Sequence, residues 1–397
     1  MNDEAGESII HLEKCPGCGY SERIPVYAIA WERSIPVAVC ARCALTYQEA
    51  PLNAAELERY YRTNSIYHFH GPGSRQHKLV GARHAFLAGL LPSQDRHRCV
   101  LDVGCGFGDF LASFDPSAWR RMGIELNAER AAFGRESLGL EIIERPLESP
   151  GIEPGSVDLL CAFGVIEHMY DLPTVFASMH SCLAMGGLGV VNVADIDKPD
   201  HGVSDYFCAE HILSFCPETL QSAIQAAGFE LVKTAPVTPD ENKDVGCVFR
   251  KVRQDSFWRG MRAMPERAGR LADAIRVYVR RRQEYIAGMR RRFEEAGLFD
   301  PSLRVGVYGA GGHTEQMLEG VPELRTVRFF FDSDPAKRGR PFLGGAIHSP
   351  EEIPTLGLDA VLISSRAFEE EILAALTRTL PSSIRVIPMY REFGERS

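Results

Sequence analysis

Cys15-Pro-Gly-Cys18 and Cys40-Ala-Arg-Cys43 are the residues whose types and spacing commit most directly to a chemistry. Each Cys-x-x-Cys is a tight knuckle that turns two thiolates toward one centre. Two knuckles supply the four tetrahedral sulfurs of a structural zinc ion. Twenty-one residues separate them, just beyond the usual ribbon spacing of about 15–20. Gly17 and Gly19 give the first turn its conformational freedom. With all four thiolates used, no position stays open for water, so this metal is expected to be structural.

A second constellation is Asp102-Val103-Gly104-Cys105-Gly106-Phe107-Gly108, where a buried apolar run ends in an acid and three alternating glycines before a helix. Such glycines let backbone close on a ligand at the carboxyl edge of a sheet. The same pattern could cradle a dinucleotide phosphate. Glu125 ends the next strand, placed to accept two hydrogen bonds from ribose hydroxyls, and Glu148 follows the third, where it could meet an adenine edge.

The third constellation lies in the segment Asp205 to Phe215, which holds the adjacent Glu210 and His211. This pair could remove a proton from an acceptor, or equally cap a helix or face solvent. His168, after the fourth strand, is a rival base for which a core or capping role is also open. His68, His70 and His77 lack a nearby carboxylate cluster, so a second metal is not expected there.

The elements that must position these residues are legible as alternating apolar patterns. Ile24–Ile29 and Pro36–Val39 read as short strands near the cysteines. From Cys99 strands and helices alternate: strands at Cys99–Val103, Arg121–Glu125, Val157–Phe163 and Leu188–Val193, and helices from Asp109 and over Ala128–Leu138. That alternation predicts a parallel, doubly wound sheet. A second α/β unit opens near Arg304, with strands at Arg304–Tyr308, Val327–Phe331 and Ala360–Ile363 and a helix from His313. Between the units Leu271, Ile275, Tyr278, Arg282, Tyr285, Met289 and Phe293 recur at helical steps. Gly260, Gly269 and Gly288 argue against one unbroken helix there.

The expected fold is therefore α/β, a Rossmann-like core preceded by a zinc-ribbon-like domain and followed by a second Rossmann-like domain. The boundaries read as 1–74 for the zinc-binding segment and a Tyr/His-rich loop, 75–250 for the core, 251–300 for a basic helical linker and 301–397 for the last domain.

The 397 residues, 45% apolar and 24% charged, suffice for several packed cores and exclude a disordered chain. No window offers the roughly 18 consecutive apolar residues of a membrane span. Residues 1–10 carry Asp3, Glu4 and Glu7 where a signal peptide would be basic. Eleven cysteines, seven of them scattered through apolar or mixed contexts, fit a reducing cytoplasm. A net charge of −9 makes general nucleic-acid binding a poor expectation. Residues 250–292 alone carry +10, and their arginines are expected to pair with the acidic domains around them; a nucleic-acid stripe is the alternative.

Over about residues 75–250 the ordered motifs resemble the class I S-adenosylmethionine-dependent methyltransferases. The resemblance implies that Asp102, Gly104, Cys105 and Gly106 surround the methionine and sugar parts of the cofactor. It also implies that Glu125 holds the ribose, Leu126 and Glu148 flank adenine, and Phe163 lines the methionine side. The order of the whole chain further resembles the sugar C-methyltransferases, which act on nucleotide-linked deoxysugars bearing a 4-keto group. That likeness implies Glu210, His211 and Tyr67 at the acceptor. His211 would act as base, Glu210 would orient it or bind a sugar hydroxyl, and Tyr67 would donate to the enolate oxygen. The serine-rich loop that follows the upstream Tyr in that family reads His68-Phe69-His70-Gly71-Pro72-Gly73-Ser74 here. O- or N-methylation of another small molecule, and modification of RNA or protein, are the competing readings.

In the last domain Gly309-Ala310-Gly311-Gly312-His313-Thr314, with Asp332 some twenty residues on, imitates a dinucleotide fingerprint whose third glycine is Thr314. The segment Asp332–Gly339 resembles the same sugar methyltransferases. A structural or acceptor-nucleotide role is expected over NAD binding.

Overall fold

The computed structural model describes residues 9–53, 55–57, 59, 75–91, 96–199, 206–239, 242–335, 337–366 and 368–390. Of these, the residues up to Val277, Arg59 apart, form one compact unit, and those from Tyr278 onward form a second. No helix among the described residues is long and apolar enough to cross a membrane.

The first unit opens with an antiparallel meander of β1 (Arg23–Ala30), β2 (Ser34–Cys40) and β3 (Thr46–Gln48). There follow α1 (Arg75–Leu87), β4 (Arg98–Val103), α2 (Asp109–Ala112), β5 (Trp119–Ile124), α3 (Ala128–Leu138) and β6 (Glu141–Ile143). The unit continues through β7 (Val157–Phe163), α4 (Leu172–Cys182), β8 (Leu183–Ala194), β9 (Leu213–Ser214), α5 (Pro217–Ala226), β10 (Glu230–Ala235) and β11 (Asp244–Arg250). Asn127 caps α3 by accepting from Arg130 N–H, and Gly139 ends it in the left-handed region.

Seven strands make the central sheet in the order β10-β11-β8-β7-β4-β5-β6. Strands β4 to β8 are parallel, as the sequence predicts. The sheet is not wholly parallel, because β11 runs antiparallel to both β8 and β10. The eight residues between β10 and β11 allow only a hairpin, since a parallel crossover needs a dozen or more. Side chains along β4 alternate between faces. Leu101 and Val103 pack with Val175, Phe176 and, from the meander, Leu45 and Tyr47, whereas Val100 joins Phe86, Phe110 and Phe163 on the other face. Asp102 falls on Val100's face and brings a carboxyl into an apolar layer.

α6 (Pro265–Glu295) is a single helix, the glycines that weigh against one notwithstanding. Gly260 lies before it, and a Cβ on Gly269 would meet nothing within 4 Å. The two internal glycines, Gly269 and Gly288, cost about 1 kcal/mol each, less than burying Leu271, Ile275, Tyr278, Met289 and Phe293 along one face contributes. Its arginines are paired in several places: Arg267 with Asp197 and Glu218, Arg276 with Asp273, and Arg290 with Glu323.

The second unit contains β12 (Val305–Tyr308), α7 (Gly312–Gly320), β13 (Phe329–Phe331), β14 (Pro341–Phe342), β15 (Gly345–His348), β16 (Ala360–Ile363), α8 (Glu369–Thr379) and β17 (Arg385–Pro388). Its sheet, ordered β14-β15-β13-β12-β16-β17, is parallel except for β14. It is Rossmann-like, as expected.

Candidate active site

β4 ends at the carboxyl edge of the central sheet in the turn 104–108. Gly104 has φ 67°, and a Cβ there would lie 2.7 Å from Val165, so only glycine lets this turn rest against the turn after β7. Gly106, at φ 59°, has open space where a Cβ would sit, which leaves a backbone face that a ligand can approach. Glu125, at the end of β5, accepts Gly106 N–H at 2.9 Å and Asn127 N–H at 2.8 Å. Each carboxylate oxygen keeps a lone pair for a further donor, as a ribose diol requires. Leu126 beside it is 66% exposed, a large apolar surface held in water at the sheet edge. Glu148 is exposed next to the buried Leu147. Cys105 points the other way: its thiol fills the space a Cβ on Gly123 would need, so it offers a ligand its backbone only.

Asp102 is 2% exposed. Burial pushes its carboxyl up to about 7; the Arg83 guanidinium opposes that rise and Glu125 adds to it. Arg83, on α1, holds its guanidinium carbon 4.4 Å from the Phe163 ring centre. Phe163 is thus covered by Arg83 and by the edge-on ring of Phe110. The folded chain keeps a proton on Asp102 between about pH 4 and 7 that the unfolded chain releases, so stability drains as pH rises through that window. A three-unit shift is of the order of 4 kcal/mol. Asp102→Asn is therefore expected to melt several degrees above the unmodified protein at pH 8 and close to it at pH 4. Thermal unfolding at both pH values checks this; equal offsets would remove the buried charge as the cause.

A second cluster adjoins the glycine turn. After β7 comes a 3-10 turn, Ile166–His168, and His168 Nδ1 donates to the Glu210 carbonyl at 3.1 Å. The rings of His168 and His211 meet edge to face at 5.0 Å. Burial, with His168 beside it, pushes the His211 imidazole down to about 3, and burial holds His168 at about 4 against the carbonyls of Glu210 and Gly164. Both are neutral at pH 7, the form a base needs, and the one N–H of neutral His168 goes to the Glu210 carbonyl. The buried Glu210 has Oε1 3.9 Å from His211 Nε2 and 3.8 Å from Cys208 Sγ. Burial, opposed by backbone N–H groups and reinforced by Glu210, raises the Glu167 carboxyl to about 8.

The loop carrying Glu210 and His211 is held from the amino-terminal sheet. Thr46 and Tyr47 of β3 pair with Ser214 and Leu213 of β9. The Gln48 side-chain amide donates to the carbonyls of Cys208, Ala209 and His211 at 3.0, 3.1 and 3.0 Å.

Residues 74–234 match the family described as a methyltransferase domain. The chain is an enzyme carrying a methyltransferase domain. None of the curated proteins is significantly similar to it. Among solved structures, a 1,6-didemethyltoxoflavin N1-methyltransferase of Burkholderia thailandensis is 20% identical and covers 58% of this chain and 99% of its own, with TM-score 0.41. A geranyl diphosphate C-methyltransferase of Streptomyces coelicolor is 15% identical over 43% of this chain and 76% of its own, at 0.38. An S-adenosylmethionine-dependent methyltransferase of Mesorhizobium loti is 17% identical over 44% of this chain and all of its own, at 0.36.

Upstream of the methyltransferase domain the four motif cysteines converge. Gly19 N–H bonds to Cys15 O and Ala44 N–H to Cys40 O, with Gly19 at φ 71° and Ala44 at φ 62°, so the two knuckles share one shape. Cys15 and Cys43 sulfurs are 3.5 Å apart, as are those of Cys18 and Cys40, and all four lie within 4.8 Å of one another. A ZnS₄ tetrahedron with bonds of about 2.3 Å has edges of about 3.8 Å, so the donor set fits that ion. None of the eleven cysteines, all among the described residues, is in a disulfide.

Tyr67 and the His-rich loop lie outside the described residues. Two residues that the sequence did not single out matter to the methyltransferase domain: Arg83, which faces Asp102, and Gln48, which clamps the His211 loop. A buried acid at position 102 signals a need for a cation without saying which one. In the last domain Asp332 accepts from Ala310 N–H at 3.2 Å and pairs with Lys337 at 2.7 Å. A Cβ on Gly309 would meet the Ser364 carbonyl at 2.6 Å. The acid that a dinucleotide fold offers to ribose is here engaged with Lys337.

Proposed function

We propose that the chain transfers the methyl group of S-adenosylmethionine to a carbon beside the ketone of a nucleotide-linked keto-deoxysugar, in the cytoplasm, with Zn²⁺ held structurally by Cys15, Cys18, Cys40 and Cys43. The observation that carries this reading is a neutral imidazole, His211, held between carboxyl groups on a clamped loop that meets, through His168, the turn resting on Gly104. Bound S-adenosylmethionine supplies a methyl group on a positively charged sulfur. Glu125 takes its ribose, Leu126 and Glu148 flank adenine, and Asp102, Gly104, Cys105, Gly106 and Phe163 surround the rest. Arg83 keeps Asp102 oriented.

A ketone acidifies the neighbouring C–H, and His211 takes that proton as the C–H electron pair becomes the enolate double bond. The enolate carbon forms the new C–C bond while the methyl–sulfur bond breaks, its pair passing to sulfur, and the carbonyl returns. His211 then releases its proton to solvent. Closing the 3.9 Å gap to Glu210 in the acceptor complex brings a carboxylate against the imidazolium and raises the basicity of His211. Tyr67 supplies an O–H to the enolate oxygen. Isotope-labelled S-adenosylmethionine, offered with a panel of nucleotide keto sugars and with hydroxyl- and amine-bearing acceptors, tests this by mass spectrometry and NMR. A new carbon-bound methyl on a keto sugar is expected; label found only on oxygen or nitrogen would overturn the assignment.

A further inference from the structure

One buried acid in the cluster has no part in the scheme above. Glu167 is 5% exposed, and its Oε2 meets no hydrogen-bond partner. Burying a carboxyl oxygen unpaired is costly, and such a group marks a place where something else completes the bonding. Its surroundings identify what. A carboxyl oxygen of Glu167 lies within 4.8 Å of a ring nitrogen of His168 and one of His211. Glu210 acts on it from the 206–212 loop, and Glu167 in turn acts on the half-buried Tyr206, whose hydroxyl donates to the Ala194 carbonyl. His168 from its own turn, with Tyr206, Glu210 and His211 from the loop, are the titratable groups that face it. None is a cation at pH 7, so nothing there balances a carboxylate, and the carboxyl keeps its proton up to about pH 8. In that form it has an O–H to give. The same turn rests on Gly104 through Val165, so the O–H belongs to the region beside the cofactor turn.

We propose that Glu167 donates a hydrogen bond to the carbonyl oxygen of the acceptor and holds that oxygen as negative charge develops on it, while His211 removes the neighbouring proton. The inference rests on the keto-acceptor reading above. The proton stays on Glu167 throughout: the C–H pair moves into the enolate, and the charge on oxygen is stabilised by a preorganised donor in a site sheltered from water. A hydroxyl or amine acceptor would have no carbonyl for this group to hold.

The full-length protein, S-adenosylhomocysteine and thymidine diphosphate 4-keto-6-deoxyglucose in D₂O separate enolisation from methyl transfer, because NMR follows exchange of the proton beside the ketone. Wild type is expected to exchange. Glu167→Ala should slow exchange about 10²–10³-fold, as removal of an oxyanion donor does. Glu167→Gln, which keeps a neutral donor, should stay within about tenfold. Above pH 8 wild-type exchange should fall as Glu167 ionises, losing its O–H and setting a charge beside the enolate; Glu167→Gln should lack that alkaline limb. A merely structural role would not move the limb. Exchange at the wild-type rate in Glu167→Ala, or the same limb in Glu167→Gln, overturns this proposal alone. No exchange by wild type defeats the keto-sugar reading and this proposal with it. Infrared spectroscopy gives an arm independent of acceptor: a protonated-carboxyl band at pH 7 that Glu167→Gln lacks is expected, and its absence from wild type overturns the proposal.

Discussion

His211→Ala is expected to bind S-adenosylmethionine as the unmodified enzyme does and to transfer methyl about 10²–10⁴-fold more slowly, the range associated with a positioned base. The separation of the two effects follows from the structure. His211 sits on the 206–212 loop, whereas the glycine turn and Glu125 belong to the ends of β4 and β5 and bond to each other. Removing the imidazole deletes no bond in that turn. It leaves His168 in place, but His168 donates to the Glu210 carbonyl and is held at that task. Calorimetry with S-adenosylhomocysteine and single-turnover rates give the two numbers. Near-normal turnover would take His211 out of the chemistry and return the role to His168.

Cys43→Ser is expected to have the other large effect, and to reach well beyond the metal. The variant should lose the zinc ion proposed above, because three thiolates and a hydroxyl make a far weaker set, and structural zinc binding is itself folding free energy. Cys43 lies three residues before Thr46, and β3 carries the Thr46 and Tyr47 pairing and the Gln48 clamp. Loosening β3 therefore releases the carbonyls of Cys208, Ala209 and His211. Methyl transfer is expected to fall about 10²-fold or more, with a much smaller change in cofactor affinity. Metal analysis and amide hydrogen exchange over residues 46–48 and 208–214 check this. A zinc-free protein with unchanged exchange over 208–214 would sever the proposed link.

Elements buried on both faces were the most legible from residues alone. Val157–Phe163 and Ala360–Ile363 stand where their apolar runs place them, and Ala128–Leu138 is bracketed by an Asn cap and a closing Gly. β8 begins at Leu183, before the expected Leu188: Leu183 pairs with Val157, the register breaks over the next four residues, where Gly186 sits at φ 76°, and the pairing resumes with Leu188 opposite Leu159. The direction of β11 was not legible, since alternation along a strand is the same whichever way its neighbour runs. The Asp102 turn and the cysteine knuckles announce themselves through local spacing. Gln48 does not: its partners are about 160 residues away, and only the β3–β9 pairing makes them neighbours. Arg83 was hidden for a similar reason, because no spacing rule connects α1 to the end of β4.

The short strand Leu213–Ser214 also constrains how such a protein can diverge. The cysteine-bearing segment and the stretch around His211 are interlocked halves of one hydrogen-bonded object. Neither can be exchanged as a cassette between relatives without recutting the other. Drift at positions 46–48 must be answered at 208–214, and a lineage that discards its cysteines must rebuild the stretch that carries His211.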